Sequence, residues 1–333
     1  MENEDFKRLS QPDPDLWQAV RRRIAPYIHR TETATCSTLD AMAGCKLFFK
    51  CENRQKGGAF KMRGAVNAAL SLPADTLARG LATHSSGNFA QAVALTARML
   101  RVPAYIVMPR NAPQVKKDAV AGYGARIVEC EPTQQAREQA VEQVVAEQGA
   151  VFLHPYNDWN VIYGQGTAAI ELLEDAPGLD FILAPVGGGG LMSGTAMAAA
   201  AYAPGCMAFG AEPVLAGDAY MSLHKGSLQK PFPPRTVADG LRTGLGDKTL
   251  YVLSRYLKDI LLVDESEILA AMRLVWERMK MVIEPSSAVP LASVLNNPQL
   301  FRNARVGIVL SGGNVDTGFF FEHLEKKAKE NEI

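Results

Sequence analysis

The chain has no surplus of either charge: 35 basic residues balance 35 acidic ones over 333 positions. That balance gives no pull toward nucleic acid or an anionic membrane, and neither is expected as a partner. Cysteine is scarce too, and Cys36, Cys45, Cys51, Cys130 and Cys206 form no CxxC pair. The opening "MENEDFKRLS" lacks the pattern of a signal peptide. A reducing, cytoplasmic setting is the expectation. One stretch, 181–211, carries no charged residue and is long enough to span a bilayer. It also holds Pro185, Pro204, four consecutive glycines and much alanine, which fits a buried strand, a glycine turn and a small-residue helix better than a membrane span. Internal repeats and low-complexity tracts are absent.

What is present is ordinary for a globular protein: 47% hydrophobic and 21% charged residues. The length suffices for two domains or one long α/β unit. Short apolar runs rich in β-branched residues predict strands over 45–52, 80–85, 103–109, 126–131, 150–155, 181–187, 207–213, 260–264 and 306–313. Helical patterns fall between them, over 61–71, 88–100, 112–121, 133–148, 165–175, 190–203, 265–282 and 286–296. In 133–148 a threonine stands at the N-cap, and Ala136, Ala140, Val141, Val144 and Val145 share one face. Such alternation implies βαβ units and mainly parallel sheets, which bind ligands beyond the carboxyl ends of their strands. The Pro-rich 230–240 is expected to be a loop, and the tail 325–333 a fraying helix end.

Three motifs fall at such strand ends. In "APVGGGGLMSG" (184–194) a buried strand enters four glycines and then a helix. Bare backbone N–H groups and the positive end of the helix dipole can there hold a phosphate without any basic side chain. A dinucleotide loop fails on spacing, because Met192 and Ser193 stand where GxGxxG needs its last glycine, and a P-loop lacks its GK[ST]. A turn that needs only glycine geometry is the plain alternative, but four glycines cost chain entropy that a turn alone does not require. In "HSSGNFAQA" (84–92) hydroxyls and N–H groups at a helix start suit a carboxylate, although an ordinary N-cap has the same look. "VLSGGNVD" (309–316) delivers Ser311 to a strand end, and alone it is a weak signal.

In "KGGAFKMRGA" (56–65), Lys61 lies at the mouth of a predicted helix. A solvated lysine needs no chemistry, but this one has company. Pyridoxal 5'-phosphate requires an amine, a phosphate site, a partner for its ring nitrogen and a grip on the amino acid. Four strand-end sites supplying that set by chance is a poor explanation, so Lys61 is assigned to a pocket.

These residues resemble the fold type II (tryptophan synthase β-like) pyridoxal phosphate enzymes, and within them the serine/threonine dehydratase and serine racemase family. The resemblance runs from about residue 17 to 320 and is carried by "GGAFKMRGA", "HSSGN", "YGQGTAAIE", "PVGGGGLMSG", "AEPVLAGDAY", "VADGL", "LVWERMKMVIEP" and "VLSGGNVD". It implies an α/β fold of two domains, each a mainly parallel twisted sheet flanked by helices: a large one over 1–78 and 156–333, and a small one over 79–155. A homodimer is implied as well. By motif, Lys61 is similar to the Schiff-base lysine and Phe60 packs beside the cofactor ring. Asn88 corresponds to the residue bonding the ring hydroxyl, Gly187, Gly188, Gly189, Gly190 and Leu191 to the phosphate loop, and Ser311 to the partner of the pyridine nitrogen. Ser86 matches the acid/base of the racemases on the face opposite the lysine. Ser85, Ser86, Gly87 and Asn88 would meet the substrate, and Arg137 and Thr243 match positions that bind its carboxylate or side chain. Glu212, the carbonyl of Ala216 and Asp218 match a divalent-metal site, whose hard oxygens suit magnesium or calcium. Read alone, that acidic pair is a solvated face.

Departures reach the pocket. Phe89 stands where relatives carry histidine, Tyr156 where the racemase carries asparagine, and "KGGAFK" replaces the commoner Ser-Phe-Lys. No stretch after "SGGNVD" matches a regulatory domain, so feedback by isoleucine is not expected. The resemblance implies β-elimination from a β-hydroxy amino acid, L-threonine or L-serine first, giving a 2-oxo acid and ammonia. Serine racemisation and 3-hydroxyaspartate dehydration are the alternatives. A non-catalytic cofactor or amino-acid sensor is opposed by the intact Lys61, and a nicotinamide dehydrogenase by the failed fingerprint.

Overall fold

The computed structural model describes residues 4–11, 13–230, 235–316 and 318. Part of the expected loop 230–240 and the expected tail helix over 325–333 lie outside the described residues. Among the described residues ten strands form two sheets: β1 (Thr33–Ala34), β2 (Lys46–Cys51), β3 (Leu81–His84), β4 (Ala104–Pro109), β5 (Arg126–Cys130), β6 (Val151–Phe152), β7 (Phe181–Pro185), β8 (Met207–Pro213), β9 (Asp259–Val263) and β10 (Arg305–Leu310). One sheet has the order β1-β2-β10-β7-β8-β9, the other β5-β4-β3-β6. All pairings are parallel except β1 on β2. The strands β4 and β7 are buried at every residue, as expected of parallel strands covered on both faces. Everything in the four-stranded sheet comes from the chain between Leu81 and Phe152. On the helix Gln134–Gln148, Val141 and Val144 are buried, and Ala136, Ala140 and Val145 pack beside them against that sheet.

Three helices set the positions of the motifs, and glycines let them approach. The helix Trp159–Asp175 lies between the helix Lys61–Leu70 and the helix Gly190–Tyr202. A Cβ on Gly164 would stand 2.5 Å from the carbonyl oxygen of Arg63, and one on Gly194 would stand 2.6 Å from the backbone nitrogen of Gly166. The run of small residues after the four glycines thus serves close helix packing within the core, not a bilayer. Among the described residues no helix is long and apolar enough to cross a membrane.

A buried ion network fixes the same helices from the other side. The fully buried Arg63 guanidinium donates to Glu52 (Nε to Oε2, 2.8 Å) and to Glu171 (Nη2 to Oε2, 2.7 Å). Lys50 Nζ reaches the same Glu171 at 2.7 Å. Every charge in the cluster has an opposite partner, the condition for tolerating charges in a dry interior.

Some elements differ from expectation. The helix expected at 165–175 begins at Trp159, where the Asp158 side chain caps it. The strand expected at 150–155 shrinks to Val151–Phe152, and the chain then leaves the sheet for the cleft. The helix expected over 265–282 stops at Leu274, widens into a π turn over Val275–Met279 and ends at Lys280 with φ 60°. Its extended continuation carries Glu284 to the end of β10, where the Glu284 N–H donates to the carbonyl of Gly312 at 3.0 Å. Helices at Pro14–Ile24, Ser37–Ala43, Asp218–Lys225 and Asp247–Tyr256 complete the layers.

Candidate active site

Lys61 is the first residue of its helix, and an antiparallel bridge between Ala59 and Gly312 brings that start against the end of β10. The Phe60 N–H donates to the Ser311 carbonyl at 2.9 Å. The amine of Lys61 donates to the carbonyl of Pro155 at 2.8 Å and sits 5.0 and 5.5 Å from the ring centres of Phe60 and Phe89. With aromatic walls in place of water, burial pushes this amine down to about 8, against the opposing pull of Glu284. Such an amine is partly neutral near physiological pH, as a nucleophile or base must be.

Beside it runs a chain of polar groups. Asn88 Nδ2 lies 3.0 Å from each carboxylate oxygen of Glu284, and Asn88 Oδ1 accepts from Asn314 Nδ2 at 3.0 Å. Asn314 Nδ2 also reaches the Gly57 carbonyl at 2.8 Å. Burial pushes the Glu284 carboxyl up to about 7, with the Asn88 bond pulling the other way. The Ser311 hydroxyl, 2% exposed, pairs with that of Ser287 at 3.0 Å.

Opposite lies the glycine turn, at the end of β7. The helix Gly190–Tyr202 that follows has no side-chain cap, so its first N–H groups face outward without a protein partner of that kind. A Cβ on Gly188 would overlap the ring of Tyr156, and one on Gly187 would come within 2.9 Å of Leu241 Cα. Leu191 is buried in the first turn. Both amide atoms of the buried Gln165 lack a hydrogen-bond partner, and a Cβ on Gly190 would lie 3.1 Å from Gln165 Oε1. A glycine-only cradle, an uncapped helix start, an orphaned amide and a half-buried lysine of lowered basicity fit a phosphorylated aldehyde cofactor. The residues that would hold it are Lys61, Asn88, Ser311 and the turn 187–190.

The start of the helix Asn88–Leu100 is less enclosed. Ser85, Ser86 and Gly87 are half-buried between β3 and the helix Asn88–Leu100, whose start also lacks a side-chain cap. The Gly87 N–H leans on Ser85 Oγ at 3.4 Å. Arg137 is half-buried, and its Nε donates to its own helix at Thr133 O, 3.4 Å away. Among the described residues no carboxylate pairs with it, and its positive charge acts on both His84 and Tyr156. His154 stands edge-on to Tyr156 with ring centres 4.6 Å apart. Its Nδ1 accepts from the Asn157 N–H at 2.9 Å, and burial, with His84 and Lys61 nearby, holds the imidazole down at about 4. Thr243 is exposed beyond the turn Asp239–Leu241.

Glu212, at the end of β8, and Asp218 beyond it are both buried, and the charge of Asp218 acts on Tyr156. Glu212 accepts from the N–H groups of Ala219 (2.9 Å) and Tyr220 (2.8 Å), whereas Asp218 Oδ2 has no partner. Burial pushes Glu212 up to about 8 and Asp218 up to about 6. They are therefore no solvated face. The buried Ala216 lies on the intervening 3-10 turn. An orphaned carboxylate oxygen in that place fits a hard cation, although no cluster of three or more His, Cys, Asp or Glu exists among the described residues.

Sequence reasoning does not single out Glu284, Ser287, Gln165 or His154. A signal exists for the first two: "IEPSS" puts a glutamate before a proline at a helix start, beside apolar residues that leave it no solvent-facing purpose. Gln165 looks like any polar residue in a helix.

Residues 24–312 match the family model described as pyridoxal-phosphate dependent enzyme. The β-hydroxyaspartate dehydratase of Paracoccus denitrificans is 48% identical over 298 residues, spanning 90% of this chain and 95% of that one. The structure of serine racemase from Dictyostelium discoideum superposes with a TM-score of 0.87 at 46% identity, covering 90% and 97% of the two chains. That of a T.th. threonine deaminase gives 0.87 at 43% identity, covering 92% and 99%. The two parallel sheets, the cradle and the lysine agree with these likenesses, and the chain belongs to the fold type II pyridoxal-phosphate dependent enzymes.

Proposed function

We propose that the protein eliminates water from a β-hydroxy amino acid bearing a second carboxylate, 3-hydroxyaspartate, to give a 2-oxo acid and ammonia. The family resemblance puts L-threonine and L-serine first. The observation that reorders them is Arg137, a half-buried guanidinium whose charge acts on His84 and Tyr156 and which has no acidic partner among the described residues. Neither hydroxyl substrate supplies an anion for it beyond the α-carboxylate, whereas 3-hydroxyaspartate does. The likeness to a β-hydroxyaspartate dehydratase supports the same order.

In this reading the uncapped start of the helix Asn88–Leu100, with Ser85, Ser86 and Gly87, takes the α-carboxylate. Arg137 takes the β-carboxylate through paired N–H groups. Lys61 Nζ receives the α-proton, its lowered basicity matching that task. Bound pyridoxal phosphate supplies the electron sink for the α-carbon. Loss of the α-proton and the β-hydroxyl leaves an enamine, which water converts to the 2-oxo acid and ammonia. Ser311, Asn88 and the turn 187–190 orient, while Phe60, Phe89 and Tyr156 exclude water. The same reading includes a homodimer, a large domain over 1–78 and 156–333 with a small one over 79–155, and magnesium or calcium at Glu212, Ala216 and Asp218.

The test is 2-oxo acid release from cofactor-loaded protein with both 3-hydroxyaspartate series, L-threonine, L-serine and D-serine. Release is expected fastest from a 3-hydroxyaspartate and absent in Lys61→Ala. Arg137→Met should lower kcat/KM for that substrate about 10- to 100-fold, the worth of a charged hydrogen bond, and leave L-serine nearly unchanged. Release from L-threonine or L-serine alone overturns the choice of substrate. Racemisation without release, abolished in Ser86→Ala, favours the racemase.

A further inference from the structure

A carboxylate accepts hydrogen bonds and donates none, whereas a primary amide has one end of each kind. Glu284 therefore decides which end of Asn88 turns toward it. With both carboxylate oxygens 3.0 Å from Asn88 Nδ2, the nitrogen must face Glu284, and the oxygen is left for Asn314 Nδ2. Asn314 is itself held by the Gly57 carbonyl, and the Gly313 N–H donates to the Gly58 carbonyl at 2.9 Å, so the far end of this chain is anchored in backbone. The second hydrogen of Asn88 Nδ2 remains for a ligand.

We propose that Glu284 is a positioning residue: by fixing the Asn88 amide it presents an N–H, and not a carbonyl oxygen, to the ring hydroxyl of the bound cofactor, and its protonation releases that constraint. The inference rests on Asn88 meeting that hydroxyl, as in the reading above. A protonated Glu284 can donate to Asn88 Oδ1, so the amide can turn over and the ring oxygen then loses its donor. A donor favours the ionised ring oxygen and its loss favours the neutral one.

The surroundings place this exchange within reach. Glu284 is 4% exposed, and its carboxyl, pushed up to about 7 by burial, would otherwise stay ionised throughout the neutral range. The charged groups facing it are Lys61 from the helix start, Lys116 from the helix Gln114–Gly122 and Asp239 from the 3-10 turn; the Asn314 N–H adds a hydrogen bond. Raised folded-state pKa means that Glu284 is protonated on the acid side of about 7 and ionised above it. The cofactor ring should thus be in its ionised form on the alkaline side.

The visible absorption and cofactor affinity of loaded wild type, Glu284→Gln and Glu284→Asp, followed from about pH 5.5 to 9, test this. Wild type is expected to change spectrum with a midpoint near 7. Glu284→Gln should lose that inflection while binding cofactor within about tenfold of wild type. Glu284→Asp should keep an inflection but displace its midpoint, which serves as the decisive variant if the glutamine protein does not fold. An unchanged inflection in either variant overturns the inference, because another group then titrates. Wild type that develops no visible absorption with cofactor overturns the reading of the site and this inference together.

Discussion

At the scale of single residues, the site depends on groups kept in the protonation state that water would not favour. His154 is the simplest case. Its Nδ1 must be unprotonated to accept from the N–H of Asn157, and burial holds the ring down at about 4 against an ordinary 6.5. A depressed histidine contributes stability that is full above its unfolded value and is lost as pH falls from about 6.5 toward about 4. Thermal unfolding followed by circular dichroism should therefore show Tm falling by several degrees over that interval. His154→Asn keeps an acceptor oxygen but cannot be protonated, so the fall should shrink; an equal fall in both proteins would place the acid sensitivity elsewhere. Arg63 makes the opposite demand, since both its carboxylate partners must stay ionised. Arg63→Met should cost about 3–5 kcal/mol in denaturant unfolding, because Glu52 and Glu171 are left in the interior with Lys50 alone between them.

Among elements, the helix Trp159–Asp175 does most to connect chemistry with fold. It touches the helix that begins with Lys61 and the helix that begins with the glycine turn, in both cases through glycine. Gly194→Ala pushes a methyl group against the backbone of Gly166, which cannot swing aside as a side chain can. The expected cost is about 1–3 kcal/mol, and because the displaced helix carries the turn 187–190, cofactor affinity should fall as well. Equilibrium dialysis beside denaturant unfolding checks both; lost stability with unchanged affinity would show that the turn moves independently of its helix. The π turn Val275–Met279 has a similar consequence, since the chain it redirects brings Glu284 to Asn88. Regular periodicity predicts an unbroken helix there because a wide turn leaves the apolar spacing almost intact.

For the whole molecule, what is legible in the sequence is what local chemistry repeats: buried strand, turn, helix. The three strand-end motifs and Lys61 can be placed on that ground: the structure ties the start of the Lys61 helix to Ser311, joins Asn88 to Glu284, and sets the turn 187–190 against Tyr156, next to the Pro155 carbonyl that Lys61 reaches. Residues such as Glu284 and Gln165 are not legible, since their importance arises from what lies opposite them across long intervals of chain. Lys116 and Asp239 are another such pair, 2.6 Å apart, joining the helix after β4 to a turn beside the six-stranded sheet. Lys116 is 29% and Asp239 39% exposed, so the pair contributes at most about 1 kcal/mol to folding. Its position matters more than that sum, because its charges reach the buried Glu284 beside Asn88. Lys116→Met should leave Tm within a few degrees of wild type but raise KM for the preferred substrate, with kcat changed less. High salt should raise the wild-type KM toward that of the variant, since the pull of an exposed charge on an approaching anionic substrate is screened beyond about 8–10 Å at moderate ionic strength and more closely as salt increases. Steady-state kinetics from low to high salt measure this, and an equal salt response in both proteins would remove Lys116 as its source.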